Sequence, residues 1–218
     1  MQETELLIYE TFSGIQGEST HAGRPCFFIR LTGCNLRCSY CDTKKAQKIG
    51  SGTRRTLDSL LREAKDSGIG LVEITGGEPM LQPATPELCR RLLDAGFEVL
   101  METNGSVDLS TLPEGVKRII DWKTPSSGES AKMLETNYRN LRPHDEVKFV
   151  IADRADYEAS VRILHQFDIA SQATVLFAPV FGSIDPQTLV EWMLADHLPV
   201  RLNLQLHKLI WGPDAEGV

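Results

Sequence analysis

Apolar residues along this chain fall into many short runs. Seven of them, at residues 26–31, 70–75, 97–102, 117–121, 146–151, 173–180 and 200–205, have the composition of β-strands. Most are nearly continuous in apolar character, as expected of parallel strands covered on both faces. Between them the apolar spacing becomes helical. Leu57, Leu60, Leu61 and Ala64 share one helical face, as do Leu88, Leu92 and Ala95. Thr85-Pro86 and Asp185-Pro186 predict N-caps followed by proline in the first helical turn. Asp153 predicts the cap of the helix that carries Val161 and Leu164, and Gly68 and Gly96 predict helix stops.

Strands alternating with helices predict a parallel α/β fold. A complete eight-fold barrel takes about 250 residues, and the chain has 218. Six or seven strands in that length predict an incomplete, splayed barrel, although an open doubly wound sheet satisfies the same alternation. In both architectures the site lies at the C-terminal ends of the strands. With no repeat, low-complexity stretch or linker in the sequence, residues 1–218 are expected to form one domain.

Hydrophobic residues make up 41% and charged residues 24%, as in an ordinary globular protein, and the net charge is −7. An acidic balance argues against broad contact with nucleic-acid backbones, which calls for clustered Lys and Arg. The apolar runs fall short of the roughly 18 residues needed to span a bilayer. The start of the chain lacks a signal-peptide pattern, so a cytosolic protein is expected.

The five cysteines are Cys26, Cys34, Cys38, Cys41 and Cys89. An odd number in a reducing compartment disfavours a disulfide framework. Cys26 falls in a strand and Cys89 on a helical pattern, and both are read as packing residues. The other three form C-x3-C-x2-C in the loop after the first apolar run. Thiolates suit iron–sulfur clusters and zinc. Structural zinc asks for four ligands, and no His or Cys close in sequence completes such a set. A four-iron cluster on three cysteines leaves one iron free to take a chelating ligand.

The trio resembles the signature of the radical S-adenosylmethionine superfamily, whose members have an aromatic residue where Tyr40 stands. The resemblance implies a [4Fe-4S] cluster on Cys34, Cys38 and Cys41, with S-adenosylmethionine chelating the open iron and cleaved to a 5′-deoxyadenosyl radical. Thr75-Gly76-Gly77-Glu78-Pro79 after the second run matches the segment that receives the methionine amino group. Glycines there let backbone approach a ligand. Glu102-Thr103-Asn104-Gly105 places polar groups at the end of the third run, to meet a ribose or the substrate, or else forms a simple Asn-Gly turn.

Four further segments narrow the resemblance: residues 12–19 (FSGIQGES), Cys41-Asp42-Thr43, residues 121–125 (DWKTP) and residues 205–213 (QLHKLIWGP). Together they resemble the 7-carboxy-7-deazaguanine synthases nearly end to end. That family implies a partial, modified barrel, a homodimer, assistance by Mg2+ and an electron donor such as flavodoxin. The reaction it implies converts 6-carboxy-5,6,7,8-tetrahydropterin to 7-carboxy-7-deazaguanine with release of ammonia, on the way to queuosine. The resemblance assigns substrate contacts to Ile15, Gln16, Gly17, Arg30, Thr75, His207 and Pro213. It assigns cofactor contacts to Tyr40, Cys41, Asp42, Gly77, Lys123 and the run Phe177, Ala178, Pro179 and Val180, and the magnesium position to Thr43.

The residues themselves agree with several of these roles. Gln16 and Glu18 offer donors and acceptors for a pterin edge. Arg30 could pair with a carboxylate through two parallel bonds, or form a structural ion pair. Thr43 offers a hard oxygen to magnesium, though its position also reads as a helix cap. Two features depart from the family pattern: Ser19 stands where glycine is common, and the chain continues past Pro213 to Val218. Two other function classes compete with this reading. One is a radical-activating enzyme acting on a partner protein; the other is a zinc-binding module without catalysis.

Overall fold

The short apolar runs become strands of one nine-stranded sheet in the computed structural model, which describes residues 4–213, 215, 217 and 218. The strands are β1 (Glu5–Ile15), β2 (Pro25–Leu31), β3 (Thr53–Thr56), β4 (Leu71–Gly76), β5 (Glu98–Thr103), β6 (Lys117–Trp122), β7 (Glu146–Ile151), β8 (Thr174–Pro179) and β9 (Arg201–Leu202). The helices are α1 (Leu57–Asp66), α2 (Thr85–Asp94), α3 (Glu135–Arg139), α4 (Arg154–Gln166), α5 (Ile169–Gln172), α6 (Pro186–Ala195) and α7 (Leu206–Trp211). Strand order is β3-β1-β2-β4-β5-β6-β7-β8-β9. From β2 to β9 every neighbouring pair is parallel, while β1 pairs antiparallel with both β2 and β3. β3 and β9 are edges, so the barrel is incomplete, as expected, although the sheet has nine strands where the sequence predicts six or seven.

Period-two alternation sends each strand's side chains to two different faces. Val72, Ile74, Val99, Met101, Ile120, Val147 and Phe149 pack with Leu60, Leu88, Leu92 and Leu164 of the helices into the main core. A smaller apolar layer on the other face holds Cys26, Phe28, Leu71, Leu100 and Ile119. Cys26 and Cys89 are fully buried, one in each cluster, in agreement with a packing role. Burial pushes the Cys89 thiol up to about 12, which keeps it inert.

The caps hold with one exception. Asp153 accepts from Asp156 N at 2.9 Å and Asp185 from Gln187 N at 2.8 Å. Thr85 is instead the first residue of α2, and its hydroxyl donates to the Pro79 carbonyl at 2.7 Å. Gly68 and Gly96 stop their helices at φ +68° and +88°. β1 and β3 carry no simple apolar signal. In β1 a register shift between Ile8 and Glu10 breaks the alternation, and β3 reads Thr-Arg-Arg-Thr. The last run is shorter than its sequence predicts. Beyond Leu202 the backbone leaves the ladder, and Leu206 N bonds to the Gly17 carbonyl at 2.9 Å.

Candidate functional site

A cavity of about 500 Å³ opens at the C-terminal ends of the strands. On one side stands the cysteine loop. Gly33, at φ +92°, turns the chain out of β2, and its N–H bonds to the Ala46 carbonyl at 2.7 Å. Gly77 lies against it: a β-carbon there would stand 2.2 Å from the Gly33 oxygen and 2.9 Å from Cys34 Cβ. That contact explains the glycine after β4. The loop is also tied to the far side of the sheet, with Ser39 N on the Ser127 carbonyl at 3.1 Å and Arg37 N on Glu129 Oε1 at 2.6 Å.

Cys34, Cys38 and Cys41 all line the cavity. Cys34 is buried, and its sulfur accepts from Leu36 N at 3.4 Å and Asn104 Nδ2 at 3.7 Å. Burial raises the Cys34 and Cys38 thiols above their ordinary value, while the donors on Cys34 and Lys123 near Cys38 act the other way. Three soft donors, amide groups aimed at one sulfur and a glycine that admits the backbone beside it fit an iron–sulfur cluster.

Glu78 organises this end of the sheet. It is fully buried and accepts from Thr103 Oγ1 at 2.9 Å, Asn104 N at 2.7 Å and Met80 N at 3.0 Å. Those bonds fix the turn after β4 against the end of β5. They also place Asn104 next to Cys34 and beside Asn35 Oδ1 at 3.0 Å.

The same cavity holds a belt of charge. Its members follow the inner apolar layer by two positions on each strand: Arg30 after Phe28, Glu73 after Leu71, Glu102 after Leu100, and Asp121 after Ile119. Lys148 of β7 completes the belt. Its ammonium lies 2.9 Å from Glu18 Oε2 and 3.4 Å from Asp121 Oδ1, and it also bonds to Glu102. Lys123 meets Asp121 Oδ2 at 2.5 Å. Burial works against the charge on both lysines, but Asp121 and the other anions outweigh it and keep both protonated. Glu18 shows the mirror case: burial opposes its charge, but Lys148 and the hydrogen bonds from Gln205 and Lys148 together hold that carboxyl below its usual value.

The loop between β1 and β2 supplies the rest. Gln16 is buried, donates through Nε2 to Glu73, and accepts from Glu18 N at 2.8 Å. Gly17 packs against His207 so closely that a β-carbon would stand 2.2 Å from Nδ1. Arg30 donates from Nε to Glu10 Oε1 at 2.8 Å, so the structural ion pair is present, with the guanidinium over the Phe12 ring. Ser19 adopts φ +63°, which explains why a glycine suits this position. Its hydroxyl accepts from His21 N at 3.0 Å.

Thr43 precedes a 3-10 turn (Lys44–Gln47) but makes no side-chain cap. Its hydroxyl donates to Asp42 Oδ1 at 3.0 Å on the cavity wall. Burial opposes the Asp42 charge, yet Lys208, at 2.8 Å, together with hydrogen bonds from Thr43 and Gln205 keeps the carboxyl well below the usual range. An ionised carboxylate and a hydroxyl side by side are hard oxygen donors of the kind magnesium takes.

Of the sequence-assigned residues, Ile15, Gln16, Gly17, Arg30, Tyr40, Asp42, Thr43, Thr75, Gly77, Lys123, Ala178, Pro179, Val180, His207 and Pro213 line this one cavity with the three cysteines. Phe177 does not. It is buried in the core against Phe149 and Tyr157. Beyond Pro213, Val218 also lines the cavity, and its carbonyl carbon lies 2.7 Å from where a β-carbon on Gly14 would be. Sequence reasoning passes over Glu73, Asp121 and Lys148 as site residues. Their signal is a single charge inside a buried apolar strand, which demands a partner.

The model of the radical SAM superfamily matches residues 28–192. The chain is 42% identical over 226 residues to a 7-carboxy-7-deazaguanine synthase of Koribacter versatilis, covering 97% of this chain and 99% of the relative. It is 43% identical over 219 residues to a synthase of the same name from Chlorobaculum tepidum, covering 99% of each. The fold resembles the crystal structure of QueE from Escherichia coli, with a TM-score of 0.78 at 23% identity over 93% of this chain and 95% of that one. The chain belongs to the 7-carboxy-7-deazaguanine synthases of the radical S-adenosylmethionine superfamily.

Proposed function

We propose that the cavity binds 6-carboxy-5,6,7,8-tetrahydropterin against the charged belt and turns it into 7-carboxy-7-deazaguanine and ammonia. One observation carries this reading. Residues from positions 15 to 213, all drawn from the family's motifs, line the same cavity as the three thiols. Cys34, Cys38 and Cys41 would hold the cluster, and Gly77, Tyr40, Asp42, Lys123 and the backbone of 178–180 would receive S-adenosylmethionine. When bound, this pair supplies the 5′-deoxyadenosyl radical that starts the reaction by taking a hydrogen.

The chain's own residues then bind, orient and shield. Ile15, Gln16, Gly17, Arg30, Thr75, His207 and Pro213 surround the pterin. Arg30, held over Phe12, faces the substrate carboxylate. Thr43, with Asp42 beside it, would hold magnesium, which when bound would supply positive charge to the substrate carboxylate. Gly17 leaves the space that His207 occupies. The buried belt offers fixed charges in place of water, so the ring is held by groups that need no reorganisation.

The finer assignments follow the same reading. Residues 1–218 act as one domain, as a homodimer in the cytosol, and an external carrier such as flavodoxin supplies the electron. Among the described residues no helix is long and apolar enough to cross a membrane. Relatives named as synthases do not favour action on a partner protein. Anaerobic incubation of the cluster-loaded protein with reductant, S-adenosylmethionine and the carboxypterin, with and without Mg2+, tests the proposal. Mass spectrometry should find 7-carboxy-7-deazaguanine, with less of it when Mg2+ is withheld. Cleavage of S-adenosylmethionine without any deazapurine would overturn the substrate assignment.

A further inference from the structure

Four carboxyl groups and two ammonium groups share the inner belt: Glu18, Glu73, Glu102 and Asp121 with Lys123 and Lys148. The lysines are both claimed. Lys148 serves Glu18, Glu102 and Asp121, and Lys123 serves Asp121. Arg30, the remaining cation beside the belt, is engaged by Glu10. Glu73 has no ion-pair partner among the described residues. It is buried, and its Oε2 accepts from Gln16, while its Oε1 makes no hydrogen bond among them. It stands on β4 two residues before Thr75, on the cavity wall.

We propose that Glu73 is a specificity-determining substrate contact, its Oε1 donating a hydrogen bond to an acceptor atom, ring nitrogen or ring carbonyl, of the bound aminopyrimidinone. The proposal rests on the pterin reading of the cavity. A donor must hold a proton, and the surroundings of Glu73 keep one there. The groups facing it are Glu18 and Gln16 from the β1–β2 loop, Arg30 from β2, Glu102 from β5 and Lys148 from β7. Burial and the Glu102 carboxyl push Glu73 well above the usual range, against the weaker pull of Lys148 and Arg30. Four like charges in one layer with two cations leave a proton on the group that is buried deepest and least served by them, and Glu73 is buried while Glu18 and Glu102 are half-buried. Glu102 is pushed upward too, but it lies on Lys148, so the proton resides on Glu73. The belt then offers what the two-sided edge of an aminopyrimidinone needs. Ionised carboxylates accept from ring N–H groups, and one neutral carboxyl donates to a ring acceptor.

The test is substrate binding to anaerobic, cluster-loaded protein with S-adenosylmethionine and without reductant, so that nothing turns over. The probe is 6-carboxy-5,6,7,8-tetrahydropterin, measured by calorimetry from mildly acidic to alkaline pH, because a carboxyl held well above its usual range gives up its proton only as the solution becomes alkaline. Wild-type affinity should weaken as pH rises, because ionisation removes the donor. Glu73→Gln keeps a donor that does not titrate, so it should hold the wild-type low-pH affinity and lose the wild-type slope. Glu73→Leu should bind about tenfold more weakly at low pH, the loss expected for one buried hydrogen bond left unmade. Glu73→Leu binding like wild type, Glu73→Gln binding as weakly as Glu73→Leu, or a wild-type pH slope persisting in Glu73→Gln would each overturn the proposal. Failure of the wild type to bind the carboxypterin at all would instead overturn the substrate assignment itself. Iron content and the circular dichroism of each variant confirm the fold.

Discussion

The Nδ1 of His207 lies 2.2 Å from the place where a β-carbon on Gly17 would stand. The two residues are 190 positions apart in sequence (207 − 17), and Leu206 N secures the approach by bonding to the Gly17 carbonyl at 2.9 Å. Gly17→Ala cannot be absorbed by a small adjustment, because the new methyl group meets a ring and not a flexible chain end. The variant should fold, displace His207 and raise KM for the pterin about tenfold or more with little change in cluster content. An unchanged KM with intact iron content would show that His207 does not touch the substrate.

Lys148 is the centre of the buried belt, and its removal leaves Glu18, Glu102 and Asp121 facing one another. Uncompensated buried charge is costly, so Lys148→Met should lower stability by about 3–5 kcal/mol in denaturant unfolding. Part of that loss should return at low pH, where the carboxyls take up protons. A variant within about 1 kcal/mol of wild type at neutral pH would mean that the belt is already largely protonated.

Much of the site was legible in the sequence because its chemistry is carried by motifs in which one residue type is needed. The cysteine trio, the Gly-Gly after β4 and the Gln-Gly-Glu loop all lie where the motifs place them. The belt was harder to see. Each of its acids is one charge in an apolar run, and it looks like noise until strand register aligns Glu73, Glu102 and Asp121 two residues past Leu71, Leu100 and Ile119. β1 escaped notice for a related reason. Its bulge at Ile8/Glu10 interrupts the period-two pattern, and its partner β3 is polar throughout. Phe177 illustrates the opposite error: within a four-residue contact segment, alternation turns it into the core while Ala178, Pro179 and Val180 reach the cavity.

Ser19 holds a left-handed backbone at φ +63° and compensates through its hydroxyl, which accepts from His21 N. Backbone strain of this kind costs about 1–2 kcal/mol for a residue with a β-carbon, and the hydrogen bond returns about 1 kcal/mol. Ser19→Gly loses the bond and sheds the strain, so its melting temperature should stay close to wild type. Ser19→Ala keeps the strain and loses the bond, and should be less stable by about 1–2 kcal/mol. Thermal unfolding of the two variants side by side decides the matter. Alanine at or above glycine in stability would remove backbone strain as the reason glycine suits this position.

At the opposite end of the strands from the cavity, Glu98 is bound by Arg24 Nη2 at 2.6 Å and by His21 Nε2 at 2.6 Å. The Arg24 hydrogen bond, helped by His21, lowers the carboxyl to about 2 despite partial burial. A folded-state value below the unfolded one means that the unfolded chain binds more protons, so stability rises with pH in that interval. The contribution is therefore complete above the unfolded value of about 4.3 and is lost as pH falls toward 2. The side chain is 45% exposed, so solvent screens much of the interaction and the effect is modest. Glu98→Gln should be slightly less stable than wild type at pH 7 and should match it near pH 2. The check is a pair of denaturation series across that acid range. Two curves that stay parallel from pH 7 to pH 2 would show that Glu98 titrates alike in the folded and unfolded chain, and that Arg24 and His21 do not stabilise its charge.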